Sequence, residues 1–185
     1  MRIIAGTARS MPLKALSGTD TRPTTDRIKE TLFNMIQTQV PGSVFLDLFS
    51  GSGQIALEAL SRGAEKAVLV ENSKKAVSVI TDNVTFTKMT DRAVIKNMDA
   101  VAYINTLPPA ESFDLIFMDP PYGKGLEYDV LKALSASDAV RTDTTIIIET
   151  DLFAELSSFT MDGVFEVQKE KRYKTNRHIF LKKRA

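Results

Sequence analysis

The chain has no cysteine and only one histidine, His178, in 185 residues. The missing thiols exclude disulfides, thiolate nucleophiles, iron–sulfur clusters and cysteine-ligated zinc. One histidine is too few for a histidine-rich site, so no metal is expected. No apolar run approaches the roughly 20 residues of a membrane-spanning helix. The opening Met1-Arg2-Ile3-Ile4-Ala5-Gly6 has too short an apolar region for a secretory signal. A cytoplasmic protein is expected. Repeats, low-complexity tracts and long linkers are also missing. What is present, 43% apolar and 25% charged residues, is the ordinary balance of a globular chain. This length suits one domain and buries roughly 70% of the unfolded surface.

The net charge of +1 conceals an uneven distribution. Residues 1–29 carry +4 and residues 169–185 carry +7, which leaves −10 on 30–168. Basic ends on an acidic body point to a polyanion held through the termini. Arg9, Lys14, Arg22, Arg27 and Lys29 at one end, and Lys171, Arg172, Lys174 and Arg177 at the other, are the candidate phosphate contacts. His178 is read as a strand-surface or packing residue.

Two short apolar pieces, Ile3-Ile4 and 13–16, flank a Gly/Arg/Ser-rich turn and suggest a small hairpin or arm. Pro23-Thr24-Thr25-Asp26 resembles a helix start, and Ile28, Leu32, Phe33, Met35 and Ile36 form a helical stripe that Pro41-Gly42 ends. Alternation follows. Strands are expected at 44–46, 67–70, 93–95, 113–118 and 144–149, with helices at 55–62, 73–86, 100–107 and 126–136. Strands at 164–171 and 177–183 close the chain as an antiparallel pair. Apolar strands alternating with helices imply an α/β fold, a parallel sheet covered on both faces. Such sheets bind ligands at the carboxyl ends of their strands. Asp47, Glu71, Asp99 and Asp119 all sit at such ends.

Asp47-Leu48-Phe49-Ser50-Gly51-Ser52-Gly53-Gln54 follows the first of these strands and opens a helix. Gly51 and Gly53 permit a tight turn and close approach of a ligand. Phe49 packs beside the turn. Glu71, 20 positions after Gly51, suits a ribose diol, and Asp99 an adenine amine. Gly51-x-Gly53-x-x-Ala56 also fits the dinucleotide fingerprint. Asp47 tilts the choice, because a carboxylate there opposes a pyrophosphate and suits the ammonium of a methionine-type moiety. S-adenosylmethionine therefore fits better than a nicotinamide dinucleotide.

The run Asp119-Pro120-Pro121-Tyr122, at the end of the strand 113–118, favours the same cofactor. The prolines fix φ and remove two donors, leaving nearby carbonyls free to accept. Asp119 adds acceptors and Tyr122 a flat face. Together they form a claw for the exocyclic amine of a base. Asp119 and the Pro120 carbonyl take its two N–H groups, and Tyr122 stacks on the ring.

The chain resembles the class I S-adenosylmethionine-dependent methyltransferases, and more narrowly the bacterial 16S ribosomal RNA guanine-N2 methyltransferases that modify the small subunit. The marks are Arg2-Ile3-Ile4-Ala5-Gly6, the block Arg22-Pro23-Thr24-Thr25-Asp26-Arg27, Leu46-Asp47-Leu48-Phe49-Ser50-Gly51-Ser52-Gly53, residues 57–63, and Asp119-Pro120-Pro121-Tyr122. The family implies a three-layer Rossmann-like α/β fold with a seven-stranded, mostly parallel sheet and an antiparallel last strand. A small arm over 1–22 would precede a core over 23–185 in a single domain. It implies that Pro23, Thr24 and Thr25 lie near the cofactor. It also implies that the substrate is 16S rRNA in an assembled small subunit or late assembly particle, met by a monomer. A DNA adenine-N6 methyltransferase, a nicotinamide oxidoreductase and a non-catalytic RNA-binding assembly factor stand as alternatives.

Overall fold

The computed structural model describes residues 1–16 and 25–185. Its core is a seven-stranded sheet in the order β3-β2-β1-β4-β5-β7-β6. The strands are β1 (Val44–Leu48), β2 (Lys66–Val70), β3 (Ala93–Lys96), β4 (Leu115–Met118), β5 (Thr145–Asp151), β6 (Phe165–Arg172) and β7 (Asn176–Lys183). Strands β1 to β5 pair in parallel, and β7 runs antiparallel to both of its neighbours. Strand order reverses between β1 and β4, which opens a crevice at their carboxyl ends.

The helices are α1 (Asp26–Met35), α2 (Gln54–Ser61), α3 (Lys74–Phe86), α4 (Ala100–Asn105) and α5 (Leu126–Ala136). Side-chain caps set three of their starts. Thr25 accepts from Ile28 N–H, Ser73 from Ala76 N–H and Asp99 from Ala102 N–H. Alternation along the strands sends side chains to two cores. Phe45, Phe117, Ile147 and Phe180 meet Leu32 and Phe33 of α1, and Leu57 and Leu60 of α2, on one face. Leu46, Ile116, Ile148 and Ile179 meet Tyr103, Ile104, Leu131 and Leu134 of α4 and α5 on the other.

The N-terminal arm closes on itself through an Arg2–Pro12 antiparallel bridge and docks on α2. Glu58 of α2, fully buried, accepts from the Ile4 and Ala5 N–H groups at 2.7 and 3.0 Å. Gly6 lies so close to α2 that a Cβ would sit 1.8 Å from the Ser61 carbonyl oxygen, at φ +84. Only glycine fits there. Among the described residues no helix is long and apolar enough to cross a membrane.

Two boundaries differ from expectation in ways that matter. Strand β1 runs to Leu48, so Asp47 is a paired strand residue, in register with Leu69 and Phe117, rather than the first loop residue. Strand β5 runs two residues past Glu149, because β7 continues pairing through Asp151 and Asn176.

Candidate active site

The turn after β1 is built from left-handed backbone. Phe49, Gly51 and Gly53 have φ of 66, 56 and 78. At Gly53, the N-cap of α2, a Cβ would press within 3.0 Å of Leu69. Glu71 ties this turn to the next one. Its Oε2 accepts from Gly51 N–H and its Oε1 from Ser73 N–H, each at 2.9 Å. Asn97 donates to the Glu71 and Asn72 carbonyls, bringing the end of β3 alongside. Asp99 spends one oxygen capping α4, at 3.0 Å from Ala102 N, and is exposed.

Asp47 is 1% exposed, and its carboxyl accepts from Ala56 N–H at 3.3 Å. Burial pushes its carboxyl up to about 8; the Ala56 donation opposes this and the nearby Glu71 charge adds to it. Once ionised, such a group accepts a cation well and repels a phosphate, and a cation seated on it favours that ionised form. The acceptor set along this edge is therefore suited to hydroxyl and ammonium groups. Phe49 is half-buried and packs against the α4–α5 core.

Asp119 directly follows β4 and is partly accessible. Burial first, then the Glu149 and Asp47 carboxylates, raise its carboxyl well above the usual range. Pro120 is buried, while Pro121 and Tyr122 are exposed, Tyr122 at 46%. Partial burial and the Asp119 and Glu149 charges push the Tyr122 hydroxyl up, so its ring is a neutral face and not a base. The four acids from the ends of β1 to β4 thus share the carboxyl edge of the sheet. Asp47 is electrostatically linked to both Glu71 and Asp119.

A fifth acid belongs with them. Glu149 of β5 accepts from Asn176 Nδ2 at 2.5 Å and meets His178 Nε2 at 3.0 Å. A carboxylate has no hydrogen to give, so the ring carries its hydrogen on Nε2. Nδ1 lies 3.1 Å from the Tyr173 hydroxyl on the other side of the ring. His178 is fully buried, edge-on to Phe117. It is a packing residue inside the sheet and not on its surface. Sequence reasoning passed over Glu149, although it stands near the end of an expected strand like the four acids it singled out.

The sequence model of the family described as conserved hypothetical protein 95 matches residues 1–182. The chain belongs to that family. Among its relatives, the Bacillus subtilis protein named "putative rRNA methyltransferase YlbH" is 37% identical over 89% of this chain and 90% of its own. The Haemophilus influenzae ribosomal RNA small subunit methyltransferase D is 33% identical over 82% of this chain and 79% of its own. A solved Escherichia coli structure, described as "putative methyltransferase yhhF", covers 100% of this chain with 98% of its own at a TM-score of 0.88 and 29% identity. The fold is that of the class I methyltransferases, with the seven-stranded mixed sheet and antiparallel final strand expected of them.

The basic candidates divide. Arg9, Arg27, Lys171, Arg172 and Lys174 are exposed, and Lys14 is exposed in a pair with Asp82. Arg22, Pro23 and Thr24 lie outside the described residues, and Thr25 caps α1. Two assignments are corrected. Lys29 is 0% exposed, with Nζ bonded to the Arg2 carbonyl and 3.5 Å from Glu58. Arg177 is 2% exposed, paired with Glu170 at 2.8 Å and donating to the Ala154 carbonyl. Both are internal ties, because strand and helix periodicity turns them inward, and neither presents a charge to phosphate.

Proposed function

We propose that the chain transfers a methyl group from S-adenosylmethionine to the exocyclic N2 amine of a guanine in 16S ribosomal RNA, acting as a monomer on an assembled small subunit or late assembly particle. The observation that carries this is Asp119 at the carboxyl end of β4. It is flanked by the Pro120 and Tyr122 of the claw and linked electrostatically to the buried Asp47 across the switch point. The names of the relatives point the same way.

Asp47 would hold the ammonium of the cofactor's methionine end, Glu71 the ribose hydroxyls and Asp99 the adenine amine, with Gly51 and Gly53 giving the backbone room. Thr25, at the start of α1, would border this site, and the resemblance adds Thr24. The bound cofactor supplies an electrophilic methyl on a sulfonium. The rest is positioning and proton handling by the chain.

The N2 lone pair of guanine is delocalised into the ring, so the amine is a weak nucleophile. The Asp119 carboxylate and the Pro120 carbonyl accept its two N–H bonds and localise the pair along the line of attack. As the N–C bond forms, the methyl–sulfur bond would break with its electron pair left on a neutral thioether, and the nitrogen must lose one proton. Asp119 takes it, and its raised carboxyl makes it a stronger base than an ordinary aspartate. Tyr122 stacks on the guanine, which has to leave its neighbours to reach the claw.

The test is methyl transfer to small subunits from a strain lacking this enzyme, with the modified nucleotide mapped by mass spectrometry. Duplex DNA and free adenine-containing oligonucleotides run beside it. Transfer to DNA, or to an adenine, would replace this reading with the N6 alternative.

A further inference from the structure

Phe153 is the most exposed large apolar side chain described, at 91%. It sits two residues past the end of β5, on the same sheet edge as Asp119 and Tyr122. Burying a phenylalanine is favourable, and a slack loop would fold such a ring back onto the protein. This loop is not slack. Asp151 Oδ1 accepts from both Phe153 N–H and Ala154 N–H, at 2.7 and 2.9 Å. The buried Arg177 donates to the Ala154 carbonyl from below while pairing with Glu170 at 2.8 Å. The backbone on both sides of the ring is fixed, and the ring is held outward.

Its surroundings identify an occupant. On one side is Tyr122, close enough to Asp151 to feel its charge. On the other, Asp151 pairs with Asn176 at the turn end of the β6–β7 hairpin, which carries the exposed Lys171, Arg172 and Lys174. Two presented aromatic rings followed by three cations match a nucleic-acid strand, with bases on the rings and phosphates on the cations.

We propose that Phe153 is a stacking platform for an RNA base next to the methylated guanine, with Lys171, Arg172 and Lys174 on the adjoining phosphates. The proposal rests on the RNA reading above. Extruding the guanine leaves its neighbour with an open face. Phe153 covers that face while Tyr122 takes the extruded ring. In this arrangement Arg177 serves RNA binding without touching RNA, by fixing the loop that carries the ring.

The chain has no tryptophan, so Phe153→Trp introduces a single tryptophan, excited at wavelengths where the tyrosines do not absorb. Titration of that full-length variant with a short single-stranded RNA should quench the emission, and Lys171→Ala/Arg172→Ala/Lys174→Ala in the same background should weaken the titration. Phe153→Leu should lower kcat/KM on small subunits by about tenfold or more, as loss of one base–aromatic stack does. Phe153→Tyr should retain activity, and cofactor affinity should be unchanged throughout. An unquenched fluorophore at saturating RNA, or full activity in Phe153→Leu, overturns the proposal. If Phe153→Leu is fully active while Asp119→Ala is inactive, stacking falls and the methyl-transfer reading stands. If RNA quenches the fluorophore but wild-type protein methylates no ribosomal RNA, the activity reading falls and the platform stands.

Discussion

Asp47→Asn tests the cofactor side of the proposal through proton linkage. In the free protein burial pushes the Asp47 carboxyl up to about 8, and the nearby Glu71 charge adds to this. At about pH 6 it therefore holds a proton. An ammonium seated on it requires the ionised form, so binding S-adenosylmethionine must expel that proton. The sign follows. Lowering pH opposes binding, and affinity rises with pH until about 8, then levels. The slope is about tenfold per pH unit, or roughly 1.4 kcal/mol, and from about pH 8 to about pH 6 the affinity falls on the order of 100-fold. Asparagine cannot ionise, so the variant should bind weakly with no such slope, approaching wild type only at the acid end. Isothermal titration in buffers of different ionisation enthalpy counts the released protons directly. Equal wild-type affinities at the two pH values, with no proton released, would refute the reasoning. The same shift acts on the free fold. Its stabilising effect is fully present below the ordinary aspartate range and is lost as pH rises through about 8.

Asp119→Asn should lower turnover by about 100-fold or more with little change in cofactor affinity. The wild-type kcat/KM should rise with pH along a limb above the usual carboxylate range, because the ionised form accepts the proton. A variant with the same limb would relocate the base. Glu58→Ala removes the partner of buried Lys29 and Arg62 and of two arm N–H groups, and should cost about 3–5 kcal/mol in urea unfolding. A loss below about 1 kcal/mol would show that the arm docks without it. Activity on small subunits should fall steeply with salt, and Lys171→Ala/Arg172→Ala/Lys174→Ala should flatten the log–log slope by about 2–3. Arg177→Ala should instead lower the melting temperature, as the buried pairing with Glu170 is lost.

The strands were legible because short apolar runs alternate with helical stripes and end at glycine or acid. The glycine turn after β1 was legible because Gly51 and Gly53 occupy left-handed backbone that other residues rarely adopt. Lys29 was misread although the periodicity contained its burial. It stands at i relative to Leu32, Phe33 and Ile36 at i+3, i+4 and i+7, on the apolar face of α1. What the pattern lacked was Glu58, a partner that only packing of α1 on α2 supplies. Arg177 was misread for a different reason, which also left His178 undecided between surface and packing. Period-two reading cannot tell an edge strand from an inner one, and β7 lies between β5 and β6, covered on both faces. Glu149 needed only consistency, since the argument that selected Asp119 applied to it equally.

The position of β7 has a consequence for synthesis. The seventh strand to be translated is the sixth in space, so β6 leaves the ribosome with no strand beside it and β5 waits with a bare edge. Until residues 176–183 arrive, a nascent chain leaves open two hydrogen-bonding rims that the finished sheet closes, one on β5 and one on β6. Stalled translation just before that point should yield material that clumps rather than a protein that is merely inactive.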